Sequence, residues 1–205
     1  WRMYFGAWGR ARADGKLPNS TGLALSDDAG RTWRHVRERP ILPLDRPWDC
    51  EGTGSCWVMR EGGTLRMYYT SIGEYFRPPA GVATAHGDRC PRIGIGYAES
   101  DDGMHWRKPL DGLLVSPRGA EADPFQYICS KPCVIRDGDL YRMWVSTCGP
   151  AYRVRSLTSR DGFDWRWQES DPDGDLGIGE SGAFDDRLRS YACVLKEGPE
   201  YRMWY

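Results

Sequence analysis

Apolar residues in this chain come in short runs, and no window of useful length carries them at helical spacing without Gly or Pro interrupting it. Three phrases recur instead. The first is Arg-Met followed by an aromatic residue, seen at Arg2-Met3-Tyr4, Arg66-Met67-Tyr68, Arg142-Met143-Trp144 and Arg202-Met203-Trp204. The second is a Ser-x-Asp turn ending in Trp: Ser26 to Trp33, Ser100 to Trp106 and Ser159 to Trp165. The third is an apolar stretch closing on Val, at Val58, Val134 and Val194, followed by the short turns Glu61-Gly62-Gly63, Asp137-Gly138-Asp139 and Glu197-Gly198-Pro199. Asp and Gly between strand-like runs signal a hairpin, because Gly supplies positive φ and Asp bonds the local backbone. The repeating unit therefore reads strand, tight turn, Arg-Met strand, loop, strand, Asp-Gly hairpin, Trp strand.

Such a four-stranded antiparallel meander, repeated along a chain, predicts the blades of a β-propeller. Blades are covered on both faces by their neighbours, which accounts for the lack of clean polar and apolar alternation in the Arg-Met strands. The phrases divide a single partial domain, residues 1–205, into blades ending near residues 48, 117 and 176. That is about three blades' worth of strands, and the smallest rings have about four blades, so an incomplete ring is expected. Both termini fall inside a copy of the Arg-Met phrase, which reads as a fragment and leaves any signal peptide outside it. Residues 73–91 form the longest irregular insert, and long inserts on a rigid scaffold often border a site.

Composition changes the picture little. The 10 Trp, 11 Tyr, 25 Gly and 14 Pro suit many short strands and turns. A net charge of -1 offers no electrostatic grip on nucleic acid or on an acidic membrane, and no apolar run approaches a membrane span. The seven cysteines, Cys50, Cys56, Cys90, Cys129, Cys133, Cys148 and Cys193, form no C-x-x-C pair. They read as free thiols acting as small hydrophobes and point to a reducing, cytoplasmic compartment. No cofactor and no metal-ligand set is indicated.

In a propeller the first strand of each blade lines the central channel. Polar residues cluster there and just ahead of it: Asp49 and Glu51; Glu121, Asp123, Gln126, Tyr127 and Lys131; and Glu180, Asp185, Asp186, Arg187, Arg189 and Tyr191. Converging carboxylates are what glycosidic-bond chemistry requires, one protonating the leaving oxygen and another serving as base or nucleophile. Acidic residues in loops also commonly cap turns or stay solvated.

The stretches Lys131 to Trp144 and Ile95 to Trp106 resemble the five-bladed propeller glycosidases, a superfamily including arabinanases, xylosidases, invertases, levansucrases and mannoside phosphorylases. The resemblance covers nearly the whole chain. It implies an all-β, five-bladed propeller of four-stranded antiparallel blades, here incomplete, with an axial sugar pocket and three acids from three blades. Its typical inner strand carries an Asp-Pro pair shortly before the Val. The corresponding positions here are Ser55, Lys131 and Tyr191, and only Pro132 survives from the pair. The expected function is therefore a glycoside hydrolase or related glycosyl-transferring enzyme acting on a carbohydrate or glycoconjugate. In it Asp49 or Glu51, Asp123 and Glu180 are the candidate acids. Trp57, Tyr127 and Tyr191 are candidate sugar-stacking faces, and Lys131, Arg153, Asp186 and Arg189 further candidate contacts. The alternative is a sugar-binding or glycan-assembly propeller without its acids. Ser26 to Trp33 also fits the Asp-box of sialidase-like propellers, in which Arg153, Arg155 and Arg189 would bind a carboxylated sugar or pair with nearby acids.

Overall fold

A computed structural model describes residues 1–16, 18–36, 38–79, 84–119, 121–169 and 175–205, so residues 80–83 of the long insert lie outside the description. The described residues are all-β. A first group holds β1 (Arg2–Trp8), β2 (Asn19–Leu25) and β3 (Arg34–His35); a second holds β4 (Gly52–Glu61), β5 (Thr64–Phe76) and β6 (Cys90–Ser100). A third comprises β7 (Ile128–Asp137), β8 (Leu140–Cys148), β9 (Tyr152–Ser159) and β10 (Arg166–Trp167); a fourth, β11 (Cys193–Glu197) and β12 (Glu200–Trp204). Within each group successive strands pair antiparallel. A single parallel bridge, Asn19 to Gly52, joins the first two groups into one sheet. The fourth strand of the second group shrinks to a bridge between Glu99 and Arg107. The sheets stack as blades of a propeller that does not close.

Successive residues of the Arg-Met strand serve two different cores. Met67 and Tyr69 pack with Leu23, Leu42 and Ala98, between the first and second blades. Tyr68 points the other way, into a cluster with Tyr97, Val134, Tyr141, Met143 and Leu157, between the second and third. Side chains alternate across a strand, so a blade apolar on both faces must read as an unbroken apolar run. Met67 and Met143 are fully buried.

The Arg and the following Tyr of this strand also bond across the blade interface. Tyr4 Oη donates to the carbonyl of Gly103 at 3.0 Å, and Arg2 donates to the carbonyl of Asp102. One blade on, Arg66 donates to the carbonyl of Asp161 at 3.0 Å and Tyr68 Oη to that of Gly162 at 3.5 Å. The acceptors are the Asp-Gly turns, and these turns are rigid. Ser26, Ser100 and Ser159 each accept the turn glycine's N–H. The Asp28, Asp102 and Asp161 carboxylates take the next amides. Trp33, Trp106 and Trp165 donate their indole N–H to the glycine carbonyl at 3.0, 3.3 and 2.9 Å. The tryptophans after the turns are thus structural.

Two outcomes follow from these contacts. Gly162 sits at φ 82°, and a Cβ there would lie 2.9 Å from both Arg66 and Tyr68, whereas Gly198 at φ 60° has open space around it. Gly198→Ala is expected to cost about 1 kcal/mol for the left-handed backbone alone, and Gly162→Ala about 2–4 kcal/mol because the blade contact is disrupted as well. Urea denaturation of the two variants measures the difference, and equal losses would remove the turn from the blade contact. Separately, the Thr32 hydroxyl and N–H and the Ser26 hydroxyl hold the Asp28 carboxyl down at about 2. Its folded value lies below the unfolded one, so its contribution to stability is complete above about pH 4 and is lost as pH falls through 2. A carboxyl-carbon NMR titration should place its midpoint near 2; a midpoint near 4 would contradict the hairpin geometry.

Candidate functional site

The inner strands of the second and third blades carry an irregularity at the same place, and the residue just ahead of β11 has an unusual backbone conformation. Pairing between β4 and β5 slips between Thr53 and Cys56, and pairing between β7 and β8 slips between Ser130 and Cys133. Two residues, Gly54-Ser55 or Lys131-Pro132, then face one on the partner strand, which is a β-bulge. Pro132 suits it, since a proline in a strand is tolerated where no ladder N–H is needed. Lys131 has φ 54° and Tyr191 φ 63°, left-handed values that cost a non-glycine residue on the order of 1–3 kcal/mol and persist only where the surroundings enforce them. The enforcing contact comes from the preceding blade. The N–H of Lys131 donates to Thr70 Oγ1 at 2.9 Å, and the N–H of Tyr191 to Ser146 Oγ at 2.7 Å. Thr70 and Ser146 occupy the same place in their Arg-Met strands, three residues after Met67 and Met143.

Ser55 and Lys131, at the two bulges, meet Tyr191 just ahead of β11. Lys131 Nζ donates to Ser55 Oγ at 2.7 Å and lies 4.7 Å from the centre of the Tyr191 ring. The Tyr191 ring meets Tyr152 edge-on with centroids 5.8 Å apart, and Tyr152 Oη lies 3.4 Å from His86 Nε2. Tyr191 is 53% exposed. Burial pushes the Lys131 ammonium's pKa down and the Tyr152 phenol's up. Among the described residues no group of three or more His, Cys, Asp or Glu could hold a metal ion, and no helix is long and apolar enough to cross a membrane.

The acids take other places. Asp49 is fully enclosed: its carboxylate accepts Lys108 Nζ at 2.6 Å, Tyr69 Oη at 3.0 Å and the Arg46 N–H at 3.1 Å. Asp123 accepts both Nε and a terminal nitrogen of Arg155, at 3.1 and 2.9 Å, with Gln126 Nε2 at 3.0 Å. Asp185 pairs with Arg189 at 2.6 Å and takes Tyr205 Oη at 3.3 Å. The Asp49 and Asp123 pairs tie the segments ahead of β4 and β7 to their own blades, whereas Asp185 pairs within its segment and reaches its blade through Tyr205. Glu51 is bound by Arg12 at 2.9 Å and by Lys16, with Tyr75 beneath Lys16. Glu180 is exposed and its carboxylate has no partner among the described residues. Asp186 accepts the Gly182 N–H at 2.7 Å. Arg153 stacks on Phe125 at 4.3 Å and donates to the Arg187 carbonyl. Trp57 packs into the core between the second and third blades, and Tyr127 stacks on Phe76 at 6.3 Å. The seven cysteines are free thiols; desolvation raises Cys56 and Cys133 to about 12 and leaves them protonated.

Tyr152, His86, Thr70 and Ser146 are the site residues that sequence reasoning missed. The small hydroxyl recurring three residues after the repeat Met was the available signal for the last two. For His86 the signal was the long insert, residues 73–91, that contains it; Tyr152, at the start of β9, left none.

No protein-family model matches the chain. It is 31% identical over 203 residues to the uncharacterized protein MT1551 of Mycobacterium tuberculosis (strain CDC 1551 / Oshkosh), and 30% to Rv1502 of the H37Rv strain. It spans 99% of its own length but only 61% of the length of either relative. Among solved structures it is similar to a thermostable family-43 glycoside hydrolase, with TM-score 0.67 and 16% identity over 98% of this chain and 61% of that one. It is similar to the sucrose-6-phosphate hydrolase of Lactobacillus gasseri, with TM-score 0.61 and 18% identity over 81% and 30% of the two chains. It is also similar to the Bombyx mori β-fructofuranosidase BmSUC1, with TM-score 0.64 and 16% identity over 98% and 38%. The fold shared with these structures is a β-propeller, present here in part.

The ion pairs ahead of the inner strands yield a prediction. Lys108→Met leaves the Asp49 carboxylate buried without its cation and is expected to cost about 3–5 kcal/mol. Adding Asp49→Asn to it should restore part of that loss, since the charge is then gone. Urea denaturation of the single and double variants is the measurement, and additive losses would mean the pair is not coupled.

Proposed function

We propose that this chain forms part of a carbohydrate-binding propeller, with the sugar taken at the inner ends of β4, β7 and β11. The observation that carries this reading is the meeting of Ser55, Lys131 and Tyr191 from three consecutive blades. A hydroxyl, an ammonium and an exposed aromatic ring are the groups a sugar ring requires: donors and acceptors for its hydroxyls and a flat surface for its C–H face. Fold kinship with glycoside hydrolases supports a sugar as ligand, while function has to be argued from the site. Three blades' worth of strands over 61% of the relatives' length accords with five blades in the whole ring.

Glycosidic-bond cleavage is the second reading, and Glu180 favours it. Its carboxylate is exposed and free of side-chain partners among the described residues. Asp49 and Asp123 are committed to buried ion pairs, which makes either a poor general acid unless the pair breaks. An acid for cleavage would then come from Glu180, Glu51 or another part of the full-length protein.

The test is sugar binding and turnover by the full-length protein. Calorimetry against a panel of monosaccharides and methyl glycosides should show binding that Tyr191→Ala weakens about tenfold or more. Release of the aryl group from aryl glycosides, with or without phosphate, reports cleavage. If turnover occurs and Glu180→Gln lowers it by about 10²- to 10⁴-fold, the hydrolytic reading prevails. Turnover unchanged in Glu51→Gln, Asp123→Asn and Glu180→Gln would exclude all three as the acid. Absence of any sugar binding would defeat the proposal.

A further inference from the structure

We propose that Lys131 forms an anion-recognising subsite, and that the sugar bound at the inner ends of the blades carries a carboxylate or phosphate group against it. This rests on the sugar-binding reading above. Three other well-buried basic side chains are matched: Lys108 with Asp49 and Asp45, Arg155 with Asp123, Arg189 with Asp185. Lys131 is not. Among the described residues its ammonium has one hydrogen-bond partner, the neutral Ser55 hydroxyl, and one ring neighbour, Tyr191, and no carboxylate lies within salt-bridge distance.

An ammonium has three N–H donors, and Ser55 takes one. The others are left pointing into a half-buried place where desolvation works against the charged form. An anion delivered by a ligand would reverse that penalty. The left-handed backbone and the Thr70 hydroxyl fix the main chain of Lys131, and the Ser55 hydroxyl and Tyr191 ring hold its ammonium. The ammonium is therefore set in place before any counter-ion arrives. The Tyr191 and Tyr152 rings beside it offer the apolar surface against which the body of a sugar would lie. Lysine is a point charge without the bidentate fork of arginine, so it suits carboxylate and phosphate alike.

The experiment uses the full-length protein and three matched sets: glucose, galactose and mannose; their uronates; and their 6-phosphates. Calorimetry at pH 7 should find at least one anionic member binding about 10- to 100-fold more tightly than its neutral parent, the worth of a charge-assisted hydrogen bond. Lys131→Met should abolish that advantage. Preference for uronates alone assigns a carboxylate, for 6-phosphates alone a phosphate, and either supports the subsite. Neutral sugars binding as tightly as their anionic derivatives would overturn the subsite and leave sugar binding standing. No binding by any of the nine would overturn both. Should the variant fail to fold, reductive methylation of the unaltered protein gives the answer by mass spectrometry. The tightest anionic sugar should shield Lys131 while its neutral parent does not, and equal labelling of Lys131 with and without the anionic sugar would overturn the proposal.

Discussion

A blade buried on both faces must satisfy its polar groups across the gap to the next blade, and one strand does most of this here. The Arg-Met strand reaches forward at both ends. At the turn end, Arg66 and Tyr68 donate to carbonyls of the Asp161-Gly162 turn, as Arg2 and Tyr4 do to Asp102-Gly103. At the other end, Thr70 and Ser146 accept the N–H groups of Lys131 and Tyr191. Apolar packing of Met67, Tyr68 and Met143 supplies most of the attraction between blades but has no direction of its own. The hydrogen bonds at the two ends fix the register, because a buried donor or acceptor left unpaired costs about 1–3 kcal/mol.

The same contact explains the candidate site. A bulge on an inner strand would ordinarily relax toward unstrained backbone. Here the hydroxyl of the previous blade captures the bulged N–H and holds Lys131 and Tyr191 at positive φ. Blade stacking thereby aims one side chain per blade at a common point. The joint is made at Lys131 and Tyr191, while Gly6 stands where a hydroxyl would face the Ser55 N–H.

Much of the fold was legible because its causes are local. The Ser-x-Asp turns, the Gly at positive φ and the Trp that closes each hairpin read directly from the spacing, and the indole N–H bonds of Trp33, Trp106 and Trp165 realise it. The unbroken apolar run around Met67 was readable as a strand covered on both faces. The site was half legible. Aligning the inner strands on Val58, Val134 and Val194 identified Ser55, Lys131 and Tyr191 as equivalents. Their mutual contact depends on bulge geometry and on hydroxyls contributed by another blade, which no single repeat encodes. Nor could spacing distinguish an acid facing a ligand from one enclosed by Lys108 or Arg155, since the basic partner lies 59 residues away in the one case and 32 in the other.

That separation matters for how the acids are read. Asp49 and Asp185 stand the same number of residues ahead of Val58 and Val194, and each accepts a Tyr hydroxyl from the same position of its Arg-Met strand, Tyr69 or Tyr205. Each also has a basic partner, but Lys108 comes from a distant loop and Arg189 from the same segment. The acid and the tyrosine are therefore the repeated elements, and the cation is supplied from wherever the blade permits. A buried carboxylate needs that cation, since removing it from water costs several kcal/mol that only pairing and hydrogen bonds offset. Carboxylates recurring ahead of the inner strands are accounted for by anchoring those strands to their blades. At Lys131, by contrast, a charge is retained with a neutral hydroxyl and a ring beside it and no carboxylate partner among the described residues.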